Sequence, residues 1–120
     1  MAVTHYRELV AWQRAMDFVE AIYRLSQRFP REELYGLTNQ LRRSAVSVPS
    51  NVAEGQGRGI GLEFARFLRI ANGSRQEAET QILIAVRLGY ITESEAADAL
   101  GLGDEVGRLL AGLLRSIAPE

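Results

Sequence analysis

A row of polar side chains between residues 40 and 54 has the residue types and spacing of a binding or assembly element. The side chains stand three or four residues apart, so on an α-helix they would form one stripe. They suit a binding surface, or a hydrogen-bond network between helices or subunits. In that network Asn51 would meet Ser74 or Glu77, and Arg42 or Arg43 would pair with Glu54. We favour the network, because buried polar groups are tolerated only when paired. This polar stripe comprises Gln40, Ser44, Ser47, Asn51 and Glu54.

Arginines between residues 42 and 75 form a second candidate set. This region holds six arginines against Glu54 and Glu63, a net charge of +4. Guanidinium groups bind phosphate oxygens, so the set is a candidate for contact with nucleic acid. The alternative, which we favour, is a solvated, ion-paired surface. The arginine set comprises Arg42, Arg43, Arg58, Arg66, Arg69 and Arg75.

The residue types that the chain lacks exclude several classes of catalytic site. The sequence has no cysteine and no lysine, and His5 is its single histidine. Thiol nucleophiles, Schiff-base lysines and lysine-containing phosphate loops are therefore excluded. A di-iron bundle is excluded as well, because it needs Glu-x-x-His on two helices. We predict no catalytic residue, no cofactor and no metal site, and hence a protein that is not an enzyme.

Apolar periodicity predicts the first two elements of the chain. Apolar side chains recur every three or four residues over 8–29, which predicts a helix that Pro30 ends. A second helix, which holds the polar stripe, is predicted over residues 32–54. Its apolar register continues past Pro49, so we expect a continuous helix that is kinked at the proline. The apolar stripe predicted for the first helix is Leu9, Trp12, Met16, Val19 and Tyr23, widened by Ala15, Phe18, Ile22, Leu25 and Phe29.

Glycines and a capping motif delimit the remaining two helices. The sequence GQGRGIG predicts a loop; its free N–H groups could bind an anion, but we favour a plain connection between helices. A third helix is predicted over residues 62–88, in which Gly73 would permit a close helix approach. Thr92 and Glu95 form a capping box that opens a fourth helix. With no strand signal, this pattern predicts an all-α, antiparallel up-and-down four-helix bundle.

The length of the chain and its lack of targeting signals indicate the number of domains and the cellular location. Its 120 residues predict a single domain, residues 1–120. No apolar run reaches the length that spans a bilayer, and MAVTHYRELVAW lacks the basic and apolar segments of a secretory signal. We therefore expect a cytoplasmic protein with no membrane partner, which fits the absence of cysteine.

Four segments carry the pattern of a known family: ELVAWQRAM, FPREELYGLTNQLRRSAVSVPSNVAEGQGR, EFARFLRIANGSRQEAETQI and RLGYI. Together they cover residues 8–92 and resemble the four-helix bundle protein family, also called the 23S rRNA intervening-sequence protein family. The resemblance implies up-and-down bundles that assemble as homopentameric rings, and it carries over no catalytic residue. The family is similar to the accessory variability protein of diversity-generating retroelements, which binds nucleic acid and a reverse transcriptase.

The leading functional hypothesis is a non-enzymatic, homo-oligomeric scaffold or adaptor, for which the resemblance implies five subunits. Its partners would be further copies of itself, with nucleic acid or another protein in addition. The polar stripe would then lie at a helix or subunit contact. The alternative hypothesis, from a different class, is a nucleic-acid-binding accessory protein that serves ribosomal RNA or a reverse-transcriptase complex.

Overall fold

The computed structural model describes residues 5–59 and 61–117, which form four α-helices. They are α1 (Val10–Ser26), α2 (Leu37–Gly57), α3 (Leu62–Arg87) and α4 (Glu93–Ile117), with short 3-10 turns at Tyr6–Glu8 and Arg31–Glu33. Each helix packs against its two neighbours in the ring α1–α2–α3–α4, in a body of 45 × 24 × 22 Å. The described ranges contain no strand. The predicted all-α four-helix bundle is therefore confirmed.

The core lies along the axis of the bundle and draws on all four helices. Burying one such side chain contributes about 1.5–3 kcal/mol relative to leaving it exposed. The largest fully buried side chains are Phe18, Ile22, Leu41, Val48, Val52, Leu68, Ile82, Val106 and Leu110.

On α1, part of the predicted apolar stripe faces the core. The residues that widen the stripe are buried, whereas Met16 and Tyr23 are exposed and Trp12 and Val19 lie at the edge of the core. Ala11, which was not in the predicted stripe, is buried as well. The buried apolar side chains of α1 are Ala11, Ala15, Phe18, Ile22 and Leu25.

Helix α2 begins later than predicted. The predicted start falls in the 3-10 turn Arg31–Glu33, after which the chain bends at Gly36 (φ −113°, ψ −112°). A Glu33 carboxylate oxygen accepts a hydrogen bond from the Leu37 N–H at 2.8 Å. This contact pairs one of the N–H groups that the start of a helix leaves free, so Glu33 sets where α2 begins.

Helix α2 also ends later than predicted, because it continues through Gly55 to Gly57. A Cβ atom at Gly55 would lie 2.6 Å from Phe67 Cβ and 3.1 Å from the Phe64 ring, so this glycine permits the close approach of α3. The prediction that Gly73 has this role is wrong. Gly73 is exposed, and a Cβ atom there would meet no heavy atom of the described residues within 4 Å.

Pro49 lies buried in the interior of α2. A proline nitrogen has no hydrogen, so the turn lacks the usual bond to the carbonyl group of Ala45. The helix is nevertheless continuous across the proline, as predicted. The kink at this position stays a prediction.

Helices α3 and α4 begin in different ways. α3 starts after Gly61, whose φ of 90° is a backbone conformation that favours glycine. Because glycine has no side chain, Gly61 cannot cap the N-terminus of α3. α4 starts with the predicted capping box. The Glu95 N–H donates to Thr92 Oγ1, and the Thr92 N–H donates to a Glu95 carboxylate oxygen, each at 3.0 Å.

Two glycines of α4 make room for an ion pair on α3. A Cβ atom at Gly103 would lie 2.7 Å from a Glu79 carboxylate oxygen, and one at Gly107 would lie 2.8 Å from the guanidinium carbon of Arg75. The Arg75 guanidinium lies 2.6 Å from the Glu79 carboxylate, and the Arg75 side chain is only 12% exposed. The glycines of α4 thus serve its packing against α3.

A polar cleft between α2 and α3

Most of the predicted polar stripe lies along a cleft between α2 and α3, which we call the polar cleft. Its volume is about 590 Å³. Three stripe residues line its α2 wall, Asn51 contacts it at one end, and Glu54 lies beyond it on the exposed surface. On α2 the lining residues are Asn39, Gln40, Arg43, Ser44 and Ser47, and on α3 they are Ser74, Glu77 and Gln81.

The contact between Ser47 and Ser74 fixes the register of the two walls. Their hydroxyl oxygens lie 2.8 Å apart. Since α2 and α3 run antiparallel, each step forward on α2 matches a step back on α3. Gln40 therefore lies at the level of Gln81, and Arg43 lies within one residue of the level of Glu77.

Asn51 reaches α3 through Ser47 and not directly. Its Nδ2 donates to the Ser47 hydroxyl oxygen at 2.9 Å and to the Ser47 carbonyl oxygen at 2.8 Å. The prediction that Asn51 itself bonds to Ser74 or Glu77 is therefore corrected. The chain of hydrogen bonds runs Asn51–Ser47–Ser74 and links the two helices at one end of the polar cleft.

Gln81 lines the polar cleft and carries a buried, unpaired acceptor. The residue is only 8% exposed, and its Oε1 is buried without a hydrogen-bond partner among the described residues. A buried polar group left unpaired costs about 1–3 kcal/mol. Sequence reasoning missed this residue, although a signal was present: Gln81 stands in the apolar register of Ala78, Ile82 and Ala85, where a polar side chain is unexpected.

Arg43 and Glu77 place opposite charges on the two walls of the polar cleft. Both side chains line the cleft and are exposed. Neither takes part in any ion pair within 4.0 Å among the described residues. A guanidinium group and a carboxylate group at nearly one level therefore face the cleft without neutralising each other.

Two residues of the arginine set hold the bundle together instead of facing solvent. Arg42 donates from Nε to the Ser26 hydroxyl at 2.8 Å and lies 4.7 Å from the centre of the Tyr23 ring on α1. Arg75 pairs with Glu79. The predicted pairing of Arg42 or Arg43 with Glu54 is wrong, because the Glu54 carboxylate lies 2.9 Å from the guanidinium of Arg58, the residue that follows α2.

The structure brings two arginines of the set together around one aromatic ring. The guanidinium carbons of Arg58 and Arg66 lie 5.3 Å and 4.6 Å from the centre of the Phe67 ring. Each also contacts a nearby glutamate, Glu54 for Arg58 and Glu63 for Arg66. Arg69 is exposed three residues after Arg66. The six predicted arginines thus do not form one surface.

Two pairs of titratable groups with shifted pKa values act as structural contacts. Hydrogen bonds from the Leu37 N–H and from the Tyr90 hydroxyl, the latter at 2.8 Å, lower the pKa of Glu33. The hydrogen bond to Glu33 raises the pKa of Tyr90. A hydrogen bond from Arg14 lowers the pKa of Glu105 and links α1 to α4. Neither pair lines the polar cleft.

The described part of the chain contains neither a cluster of metal ligands nor a helix that could span a membrane. Residues 5–59 and 61–117 contain no group of three or more His, Cys, Asp or Glu side chains that could hold a metal ion. Within the same ranges, no helix combines the length and apolar character needed to cross a membrane.

Four consecutive helices, packed as a ring around one core, define the chain as a four-helix bundle protein. The sequence model of one family, described as 23S rRNA-intervening sequence protein, matches residues 7–112. The chain belongs to this family, as the sequence motifs predicted. The relation to the accessory variability protein of retroelements stays a prediction.

A solved structure supports the same fold. The chain is similar to a crystallised protein of unknown function from the S23 ribosomal protein family of Bacteroides thetaiotaomicron, with a TM-score of 0.80. The match covers 88% of this chain and 96% of that chain at 22% sequence identity, which shows a shared fold alone. No curated protein matches the chain.

Proposed function

We propose that this protein is a non-enzymatic, homo-oligomeric four-helix bundle that acts as a cytoplasmic scaffold or adaptor. Five subunits is the number that the family resemblance implies. Its principal partners are then further copies of the same chain, and it presents a second surface to another protein or to nucleic acid.

An exposed apolar surface at one end of the bundle is the observation that carries this proposal. Tyr35, just before α2, is 91% exposed, and Leu88, just after α3, is 55% exposed. The hydrogen bond between Glu33 and Tyr90 holds these two turns side by side. Ile84 extends the surface along α3. Exposed apolar side chains gathered at one end of a protein are typical of sites of protein association.

The distribution of shifted pKa values supports a role without catalysis. Catalytic acids and bases owe their shifted pKa values to a shared cleft. Here the shifted groups are Glu33 with Tyr90 and Arg14 with Glu105, which join helices at separate places. Their shifts are explained by structural hydrogen bonds.

The mass of the protein in solution tests this proposal. Light scattering coupled to size-exclusion chromatography should give five copies of the 13.3 kDa chain. The ratio of absorbance at 260 and 280 nm, for protein purified without nuclease, should be that of protein alone. A monomer across the accessible concentration range would contradict the homo-oligomeric assembly.

A nucleic-acid-binding accessory role is the second candidate, and the Arg58–Phe67–Arg66 cluster favours it. The exposed guanidinium groups of Arg58 and Arg66 lie over the buried Phe67 ring, with the exposed Arg69 beside them. They offer charge to phosphates and planar guanidinium faces for stacking. Glu54 and Glu63 offset part of that charge. The candidate ligands are structured RNA and the nucleic acid of a reverse-transcriptase complex. Co-purification of RNA with the protein would favour this role over the scaffold.

A further inference from the structure

We propose that the polar cleft is a docking site for a second copy of this chain, in which Arg43 of one copy pairs with Glu77 of another. This inference rests on the proposed homo-oligomer and names a contact within it. The partner copy then contributes a side chain to the polar cleft, which is incomplete in a single chain.

The charges of the polar cleft are complementary to those of a second copy. Arg43 on the α2 wall and Glu77 on the α3 wall lie at nearly one level, and neither has an ion-pair partner within the described residues. When the α2 wall of one copy meets the α3 wall of another, the guanidinium of the first faces the carboxylate of the second. A head-to-tail ring, the arrangement that a closed assembly of five copies requires, allows this pairing.

The buried Oε1 of Gln81 points to the same occupant. It is an acceptor without a donor on the α3 wall, one turn of the helix from Glu77. This oxygen is closed to solvent in the single chain, so the side chain must turn toward the cleft for a donor from the docked copy to satisfy it and remove the cost of leaving it unpaired. A water molecule in the cleft is the competing donor, and substitution of Gln81 separates the two.

The composition of the surroundings favours a protein surface over a small molecule. All eight side chains that line the polar cleft are polar, whereas sites for small ligands are mostly apolar. Exposed apolar side chains flank the cleft on α3. Ile70 and Ile84 stand seven residues before and after Glu77, so they share one side of the helix with it. Such a mixture of polar and apolar groups is usual for interfaces between proteins.

Charge reversal tests the pairing. Arg43→Glu and Glu77→Arg should each weaken self-association about tenfold or more, because each places like charges at the contact. The double variant R43E/E77R should restore association to within about threefold of the original. Arg24→Glu, an exposed arginine on α1, is the matched control and should leave association unchanged. Circular dichroism verifies the fold of each variant; if a reversal unfolds the chain, Arg43→Gln and Glu77→Gln replace it.

Mixing experiments separate a contact between copies from one within a copy. Isotope-labelled protein with the original sequence and R43E/E77R should each assemble with themselves, but should not co-assemble in native mass spectrometry. Free co-assembly, or single reversals without effect on a homo-oligomer, would overturn the docking site while leaving the proposed homo-oligomer standing. A monomeric original protein would overturn both.

Gln81→Leu tests whether the docked copy supplies the missing donor. The substitution removes the acceptor and puts an apolar side chain of similar size in its place. It should weaken self-association several-fold if the donor comes from the second copy. Unchanged association would assign Gln81 Oε1 to water and remove this residue from the interface.

Discussion

Ser47 on α2 and Ser74 on α3 join the two helices through hydroxyl groups 2.8 Å apart. The Ser47 oxygen also accepts a hydrogen bond from the Asn51 amide, so Ser47 links Asn51 to Ser74. The pair closes one end of the polar cleft, and either hydroxyl can be its donor. Because both helices contribute one small polar residue, their register is set without a large side chain between them.

Removing either hydroxyl should destabilise the bundle, and to different extents. We expect Ser74→Ala to lower the free energy of unfolding by about 1 kcal/mol, because it leaves the Ser47 hydroxyl with one fewer partner. Ser47→Ala should cost more, since it also deprives Asn51 of an acceptor. Urea unfolding measures both values, with the exposed Ser50→Ala as control. Equal losses for all three variants would contradict a network that passes through Ser47.

Two glycines, one on each of these helices, should respond to alanine in opposite directions. Gly55→Ala should destabilise the protein by about 1–3 kcal/mol, because its Cβ would press against Phe67 at 2.6 Å. Gly73→Ala should stabilise it by up to about 1 kcal/mol, since alanine favours the helix and the exposed site has space. Thermal unfolding of the two variants side by side tests this. Stabilisation by Gly55→Ala would refute the close contact of α2 with α3.

Local patterns in the sequence predicted the bundle, the range of α3 and the start of α4. Thr92 and Glu95 cap α4 through bonds that span only three residues, so their spacing is sufficient evidence. The start of α2 was misplaced because it depends on Glu33, which also contacts Tyr90, 57 residues further along the chain. A contact of that length leaves no periodic signal in the sequence.

Of the polar cleft, the sequence predicted only the α2 wall, because the α3 wall depends on contacts between residues far apart in the chain. The α2 wall of the polar cleft follows from the spacing of Gln40, Ser44 and Ser47 on one helix. The α3 wall required the register between two helices, which Ser47 and Ser74 set. The arginine set does not form one surface, because the packing of the helices, and not proximity in the sequence, decides the partner of each side chain. Arg42 contacts Tyr23 of α1, whereas Arg58 contacts Phe67 of α3.

Acid should weaken the bundle partly through Glu33. Its folded-state pKa lies below the ordinary value of 4.5, so the unfolded chain binds this proton more readily. The stabilisation is therefore fully present above the ordinary value and is lost as the pH falls through 4.5 toward the folded-state pKa. Glu33→Gln should flatten the fall in stability between about pH 5 and pH 3. Glu105 adds a dependence of the same sign, so the variant should not abolish it.

Urea unfolding at a series of pH values measures the effect of Glu33→Gln, with the adjacent and exposed Glu32→Gln as control. Tyr90→Phe provides a second test, because it removes one of the two hydrogen bonds that lower the pKa of Glu33. It should shift the acid midpoint upward. Identical profiles for all four proteins would show that the Glu33 contact does not contribute to stability.

The arginines around Phe67 allow a direct test of the nucleic-acid candidate. The variant R66Q/R69Q removes two positive charges at this end of α3 and should weaken binding to structured RNA at low salt. The slope of log affinity against log salt should fall by about 0.7–0.9 for each phosphate that the variant no longer neutralises. R24Q/R31Q removes the same charge from exposed positions elsewhere and is the matched control. Equal weakening in both variants would indicate only a dependence on net charge, and no binding by the original protein would exclude the role.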